Sequence, residues 1–169
     1  MSETAQQYTQ RIIGNVGTQE PLEVQAATAA KLDRLIAGKT AAELNRRPGP
    51  DKWSVTEILA HLADAEIVGS FRMRFILGAP GSPVVAYDQN AWADSGHYEK
   101  RDPRKSLELF RTLRAANLAM LESLEPEQWQ HWGMHSERGQ ESIEHIARMF
   151  AGHDINHLRQ VEAILGPAS

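Results

Sequence analysis

The chain contains no cysteine. Disulfides, thiolate metal ligands and a cysteine nucleophile are thereby excluded, and any thiol chemistry needs a thiol from outside. No apolar run approaches the roughly 20 residues that a membrane-spanning helix requires, so no membrane partner is expected. An excess of positive charge is also missing, since 18 basic against 22 acidic residues leave a formal net charge of −4. A phosphate backbone would find no broad basic surface, and nucleic acid is not an expected partner. The opening MSETAQQYTQ has neither the basic start nor the apolar stretch of a signal peptide. Cytoplasmic location is the expectation.

What is present is ordinary for a globular protein: 169 residues, of which 41% are hydrophobic and 24% charged. That length fits one domain over residues 1–169 with a core of its own. Four segments repeat apolar residues at helical spacing, and none sustains the alternation of a strand, so the expected class is all-α. The first helix is expected over about 19–37, with Pro21 in its opening turn, Leu22, Ala26, Ala29 and Leu32 or Ile36 on one face, and Gly38 as its stop. A short helical turn at Ala41 to Leu44 follows Thr40, with Glu43 completing a capping pair. Arg47-Pro48-Gly49-Pro50 breaks the chain. Ser54 and Glu57 then form a second capping box, opening a helix to about Leu77. Gly78 to Asp102 reads as a long connection, of a length that is commonly functional. Asp102-Pro103 opens a third helix to about Ser123, and a second connection spans Gln128 to Gly139. The last helix should run over about 140–165, before Gly166-Pro167. Four long helices joined by loops predict a four-helix bundle.

Seven histidines occur, and His153 and His157 stand four residues apart on the last helix. That spacing puts both imidazoles on one face, a turn apart, within reach of one ion. Spacing alone says little, because chance supplies about 0.3 such pairs in a chain of this composition. His131 and His135 share the spacing but lie in a glycine-containing connection with no helical stripe around them. The surface separates the two pairs. Ile143, Ile146, Ala147, Phe150, His153, His157, Val161 and Ile164 form one stripe in which only the histidines are polar. A stripe of that kind faces the core, where an unpaired imidazole costs about 1–3 kcal/mol. On the second helix, His61 sits among Ile58, Leu62, Ala65 and Val68. Three neutral imidazoles with one open position suit zinc, nickel or ferrous iron, and such an ion lowers the pKa of bound water or thiol. The alternative is that the three are core histidines bonded to one another or to buried carbonyls.

Residues Pro48-Gly-Pro-Asp-Lys-Trp-Ser-Val-Thr-Glu-Ile-Leu-Ala-His61-Leu-Ala-Asp-Ala-Glu66 and Gly152-His153-Asp-Ile-Asn-His157-Leu-Arg-Gln160 together resemble the DinB/YfiT-like superfamily. The resemblance runs from about Tyr8 to the end of the last helix, with Trp92 and the stretch from His135 to Gly139 included. That group is described as metal-dependent hydrolases and includes bacillithiol- and mycothiol-dependent S-transferases. The resemblance implies a four-helix bundle, often dimeric, with a divalent metal held by His61, His153 and His157. Members with the same triad differ in activity, so the reaction does not transfer with the site.

Other residues have two readings each. Glu57 and Asp64 flank His61 at i−4 and i+3, placed to orient its ring or accept a proton, although Glu57 also caps its helix and Asp64 also suits a solvated face. Tyr87, Asp88 and Trp92 either shape a pocket mouth or pin the loop. Arg72 and Arg74 either meet an anionic substrate or form surface ion pairs, and His145 falls on a different face, at the surface or at a subunit contact. The leading expectation is a metal-dependent hydrolase or low-molecular-weight-thiol S-transferase, a homodimer acting on a small molecule. The competing expectation is a metal-stabilised module that binds a small ligand, or serves in a stress response, without turnover. No residue is assigned as the general base.

Overall fold

Capping residues and apolar spacing set where the helices of this chain begin and which faces they bury. A computed structural model describes residues 3–166. Helix α1 spans Ala5–Gly14, α2 Pro21–Ile36, α3 Ala41–Asn45 and α4 Val55–Gly78. Strand β1 is Pro83–Val84, followed by α5 Gln89–Ser95 and a 3-10 turn at Tyr98–Lys100. Helix α6 covers Pro103–Glu122, a second 3-10 turn Pro126–Gln130, β2 Trp132–His135, β3 Gly139–Ser142 and α7 Ile143–Leu165. The capping boxes at Thr40 and Ser54 are both made, with Glu43 and Glu57 reaching back to the cap N–H. Asp102 caps α6 from just before Pro103, and Ser142 caps α7.

The long helices α2, α4, α6 and α7 form a four-helix bundle in which α2 packs on α7, α7 on α4, α4 on α6 and α6 on α2. The expected bundle is present, with three additions. Helix α1 was not anticipated, and it lies against α7. The connection from Gly78 to Asp102 carries β1, α5 and a 3-10 turn. Residues 140–142, expected as helix, are strand instead. They belong to a three-stranded sheet in which β1 pairs with β2 in parallel and β2 with β3 antiparallel, Trp132 opposite Ser142 and His135 opposite Gly139. Strands of two to four residues are too short to show alternation. On α2 the buried face runs through Val24, Gln25, Thr28, Ala29, Leu32, Leu35 and Ile36, while Ala26 is exposed.

The first half of α4 is central: every residue from Ser54 to Glu66 is buried. Along the bundle, two apolar clusters stand either side of a polar layer. One gathers Leu32, Ile36, Ile58, Leu59, Leu62, Phe110 and Val161, and the other Met73, Ile76, Leu121, Ile143 and Ile146. Between them on the four long helices lie Gln25, Glu66, Arg114, Asn117 and Asp154, all buried. The Arg114 guanidinium donates to Glu66 Oε1 at 2.7 Å, to Asp154 Oδ1 at 3.0 Å and to the Gln25 carbonyl at 3.0 Å. Asn117 donates to the second Glu66 oxygen at 2.8 Å. The two carboxylates hold the Arg114 pKa above its ordinary value, outweighing the burial that acts against its charge. This layer ties all four long helices together. Among the described residues, no helix is long and apolar enough to cross a membrane.

Candidate metal centre

At the level of the polar layer, α4 and α7 turn three imidazoles toward one point. Because α7 repeats every 3.6 residues, His153 and His157 rise one above the other on its inner face. His61 meets them from α4. Its Nε2 lies 2.9 Å from that of His153, and the His157 Nε2 lies 3.1 Å from the same atom. One ring nitrogen from each residue falls within 4.8 Å of the others. Tetrahedral coordination at Zn–N bonds of about 2.0–2.1 Å places nitrogens about 3.3 Å apart, and the two spacings to His153 match that to within a few tenths of an ångström.

Hydrogen bonding among the rings satisfies the cluster less well. His157 Nδ1 lies 2.8 Å from Gln160 Oε1, and donation to that oxygen leaves the His157 Nε2 with a lone pair aimed into the cluster. The His153 Nε2 faces two neighbours yet carries either one proton or one lone pair, so it bonds at most one of them well. Burial pushes the pKa of all three rings down, that of His157 to about 4, although the Gln160 contact acts the other way there. For His61 the neighbouring His157 adds to the effect, and for His153 so do His157, His61 and Arg114. The rings are therefore neutral at pH 7, the form that binds a metal. The residues fit a divalent ion.

Two cavities flank the cluster. One, of about 310 Å³, reaches His61 and His153 and is walled by Tyr8, Arg72, Tyr87, His135, Arg138 and Phe150. The other, of about 480 Å³, reaches His157 and Gln160 beside Arg11, Lys52, Trp53 and Asn90. Tyr8 and Gln89 border both. Tyr8 arrives on α1, which approaches α7 closely because residue 152 is glycine: a Cβ there would stand 2.0 Å from the Ile12 carbonyl oxygen.

The flanking carboxylates have other partners. Glu57 bonds Ser54 and Arg47, and Asp64 accepts from the Tyr98 hydroxyl at 2.6 Å and from Arg101 at 3.0 Å. Neither bonds the His61 ring, whose Nδ1 has no partner among the described residues. Tyr87 and Trp92 pack on each other at 4.8 Å, with Tyr87 in the cavity wall, while Asp88 caps α5. Arg74 bonds Ser70 and Asn117. Arg72 bonds the Val85 carbonyl and makes no ion pair among the described residues, against the expected surface bridge. His145 is partly exposed near Glu141 and outside the site. In the sequence His135 is one of a pair without a helical stripe, yet in the structure it is buried and lines the cavity while His131 does not. Gln160, which holds the His157 ring, is the second site residue that the histidine pattern does not mark. Its signal was available, since i+3 from His157 is a neighbouring position on the helix surface.

Residues 25–161 match the family model described as the DinB superfamily. A Bacillus subtilis protein named "Putative metal-dependent hydrolase YfiT" is 23% identical over 141 residues, covering 83% of this chain and 79% of that protein. A Halalkalibacterium halodurans protein also named as a metal-dependent hydrolase, with the same qualifier, is 27% identical over 136 residues, 80% of this chain and 79% of its own. The solved structure of Bacillus subtilis YfiT, described as having "an unusual four-helix bundle topology", superposes with a TM-score of 0.78 at 22% identity. It covers 87% of this chain and 86% of that one.

Proposed function

Because the chain belongs to the DinB superfamily, we propose that it is a metal-dependent enzyme in which His61, His153 and His157 hold one divalent ion beside a small-molecule cavity. The observation that carries this reading is the convergence of one nitrogen from each of three imidazoles, those of His61 and His157 buried and that of His153 half-buried. Zinc, nickel or ferrous iron suits an all-nitrogen donor set. When bound, such an ion supplies Lewis acidity, lowering the pKa of a coordinated water or thiol and polarising a substrate.

The chain's own residues supply orientation and shape. Gln160 fixes the His157 ring by holding its Nδ1–H, and the Trp53 ring packs 4.9 Å from that of His61. Tyr8, Tyr87 and Phe150 give the smaller cavity aromatic walls. Hydrolysis needs room for one organic substrate, whereas transfer to a low-molecular-weight thiol needs room for two. The pair of cavities either side of the cluster favours the thiol S-transferase within this reading. Two copies of the chain would associate through the outer face of α4, where Ile67, Phe71 and Phe75 are exposed near Val85. Light scattering would then give twice the mass of the 18.8 kDa chain.

Turnover tests the reading. Metal-loaded protein should consume an ester, amide, epoxide or thiol–electrophile pair from a broad panel, lose that activity to a chelator and regain it with metal. Loaded protein that turns over nothing in the panel, or activity indifferent to chelation, would contradict it.

A further inference from the structure

In the wall of the smaller cavity, His135 projects from β2 with 2% of its surface exposed. Its Nδ1 accepts the backbone N–H of Glu137 at 3.1 Å and that of Arg138 at 3.3 Å. A nitrogen that receives two N–H donors carries no proton, so the neutral ring keeps its one proton on Nε2. Burial and the nearby Arg138 and Arg72 charges lower its pKa, while Glu141 and Glu137 act the other way. The Nε2 is buried and has no partner among the described residues. Buried donors are almost always paired, and an orphan of this kind at a cavity wall calls for an acceptor from within the cavity.

A second group points the same way. Arg72 borders the same cavity, lies 5.8 Å from the centre of the Tyr87 ring and has no carboxylate partner among the described residues. Arg138 borders it too, but its charge is met by Glu141, two bonds at 2.6 and 3.0 Å. Of the acidic neighbours, Glu3 is bound to Arg11 and Glu137 is exposed. Arg72, which donates to the Val85 carbonyl, thus has no carboxylate partner among the described residues in a cavity whose wall also carries the unused N–H.

We propose that His135 Nε2–H and the Arg72 guanidinium form an oxygen-binding subsite, which holds a carboxylate or carbonyl oxygen of the small molecule on which the histidine cluster acts. The subsite rests on the reading of this cavity as the substrate cavity, but its chemistry does not require the metal. The histidine is held firmly: β2 lies between β1 and β3, and the Nδ1 bonds fix the ring. A substrate whose reacting group is held at the cluster and whose oxygen reaches β2 satisfies both ends of the cavity.

Two substitutions separate the two nitrogens of the ring. His135→Asn places an oxygen near the position of Nδ1, so the backbone N–H groups keep an acceptor while the Nε2–H is lost. His135→Gln places an N–H near Nε2 and loses the acceptor. Benzoate is the probe, a carboxylate on an aromatic body suited to the Tyr8, Tyr87 and Phe150 walls. It is titrated into metal-free and zinc-loaded protein while histidine ring nitrogens are followed by NMR. His135 should rest as the Nε2–H tautomer, and its Nε2 signal should shift on titration in both forms. Benzoate affinity should fall about tenfold in His135→Asn and in Arg72→Met, and stay within about twofold in His135→Gln. An Nδ1–H tautomer, no benzoate binding, or equal affinity in the parent, His135→Asn and Arg72→Met would overturn the subsite. A chain that binds benzoate in this pattern but takes up no metal would overturn the metal reading and leave the subsite standing.

Discussion

Replacing Gly152 by alanine should detach α1 from α7 without disturbing the histidines beside it. The added Cβ would stand 2.0 Å from the Ile12 carbonyl oxygen and 2.7 Å from its carbon, where ordinary contact begins at 3.4 Å. Helix α1 must therefore retreat by about 1.4 Å, because the obstacle is backbone and no side-chain rotation relieves it. Overpacking of this severity costs about 3 kcal/mol, and the better helix propensity of alanine returns about 1. A net loss near 2 kcal/mol lowers Tm by about 4–8 °C in a chain of this size. Hydrogen exchange should quicken over residues 5–14 and stay slow in α4 and α7. Metal content should be unchanged, while ligand affinity weakens because Tyr8 on α1 borders both cavities. An unaltered Tm together with unaltered exchange in α1 would refute the packing account.

Three further outcomes are expected. Arg114→Leu leaves Glu66 and Asp154 buried and uncompensated, and denaturant unfolding should show a loss of about 3–5 kcal/mol; a loss below about 1 would mean that the layer is not closed as described. Gln160→Leu frees the His157 ring and should weaken metal affinity by about 10–100-fold in competition with a chelator, with little change in Tm. Metal-free protein should lose stability as pH falls from the ordinary histidine value of 6.5 toward about 4. The folded pKa of His157 is depressed, so the folded state binds fewer protons there, and its contribution is present above 6.5 and lost below. For His157 alone that is about 3 kcal/mol, lowered in the same direction by His61 and His153; denaturant midpoints that stay flat across this window would contradict it.

Long amphipathic segments with capping residues were legible in the sequence, since α2, α4, α6 and α7 begin and end within about three residues of the positions expected from them. Helix α1 was not, because Tyr8, Ile12 and Ile13 make too short a stripe, although Thr4 and Gln7 form a capping box that was open to view. The histidine cluster was legible for a physical reason: a polar residue on an otherwise apolar stripe must be satisfied inside the core. His135 carried no such mark. Its importance comes from two backbone N–H groups in the turn after β2, and sequence periodicity holds no trace of them. The same limit hid the polar layer, since Arg114 in α6 reads like any charge on a solvated face until Glu66 and Asp154 are brought to it by two other helices.

The central claim is that His61, His153 and His157 share one divalent ion, and elemental mass spectrometry of tag-free protein tests it most directly, beside His61→Ala and His157→Ala. About one metal per chain in the parent, lost in both variants, is the predicted result. Background metal in all three proteins after reloading with zinc, nickel and ferrous iron would mean that the histidines only bond one another, and would contradict the claim.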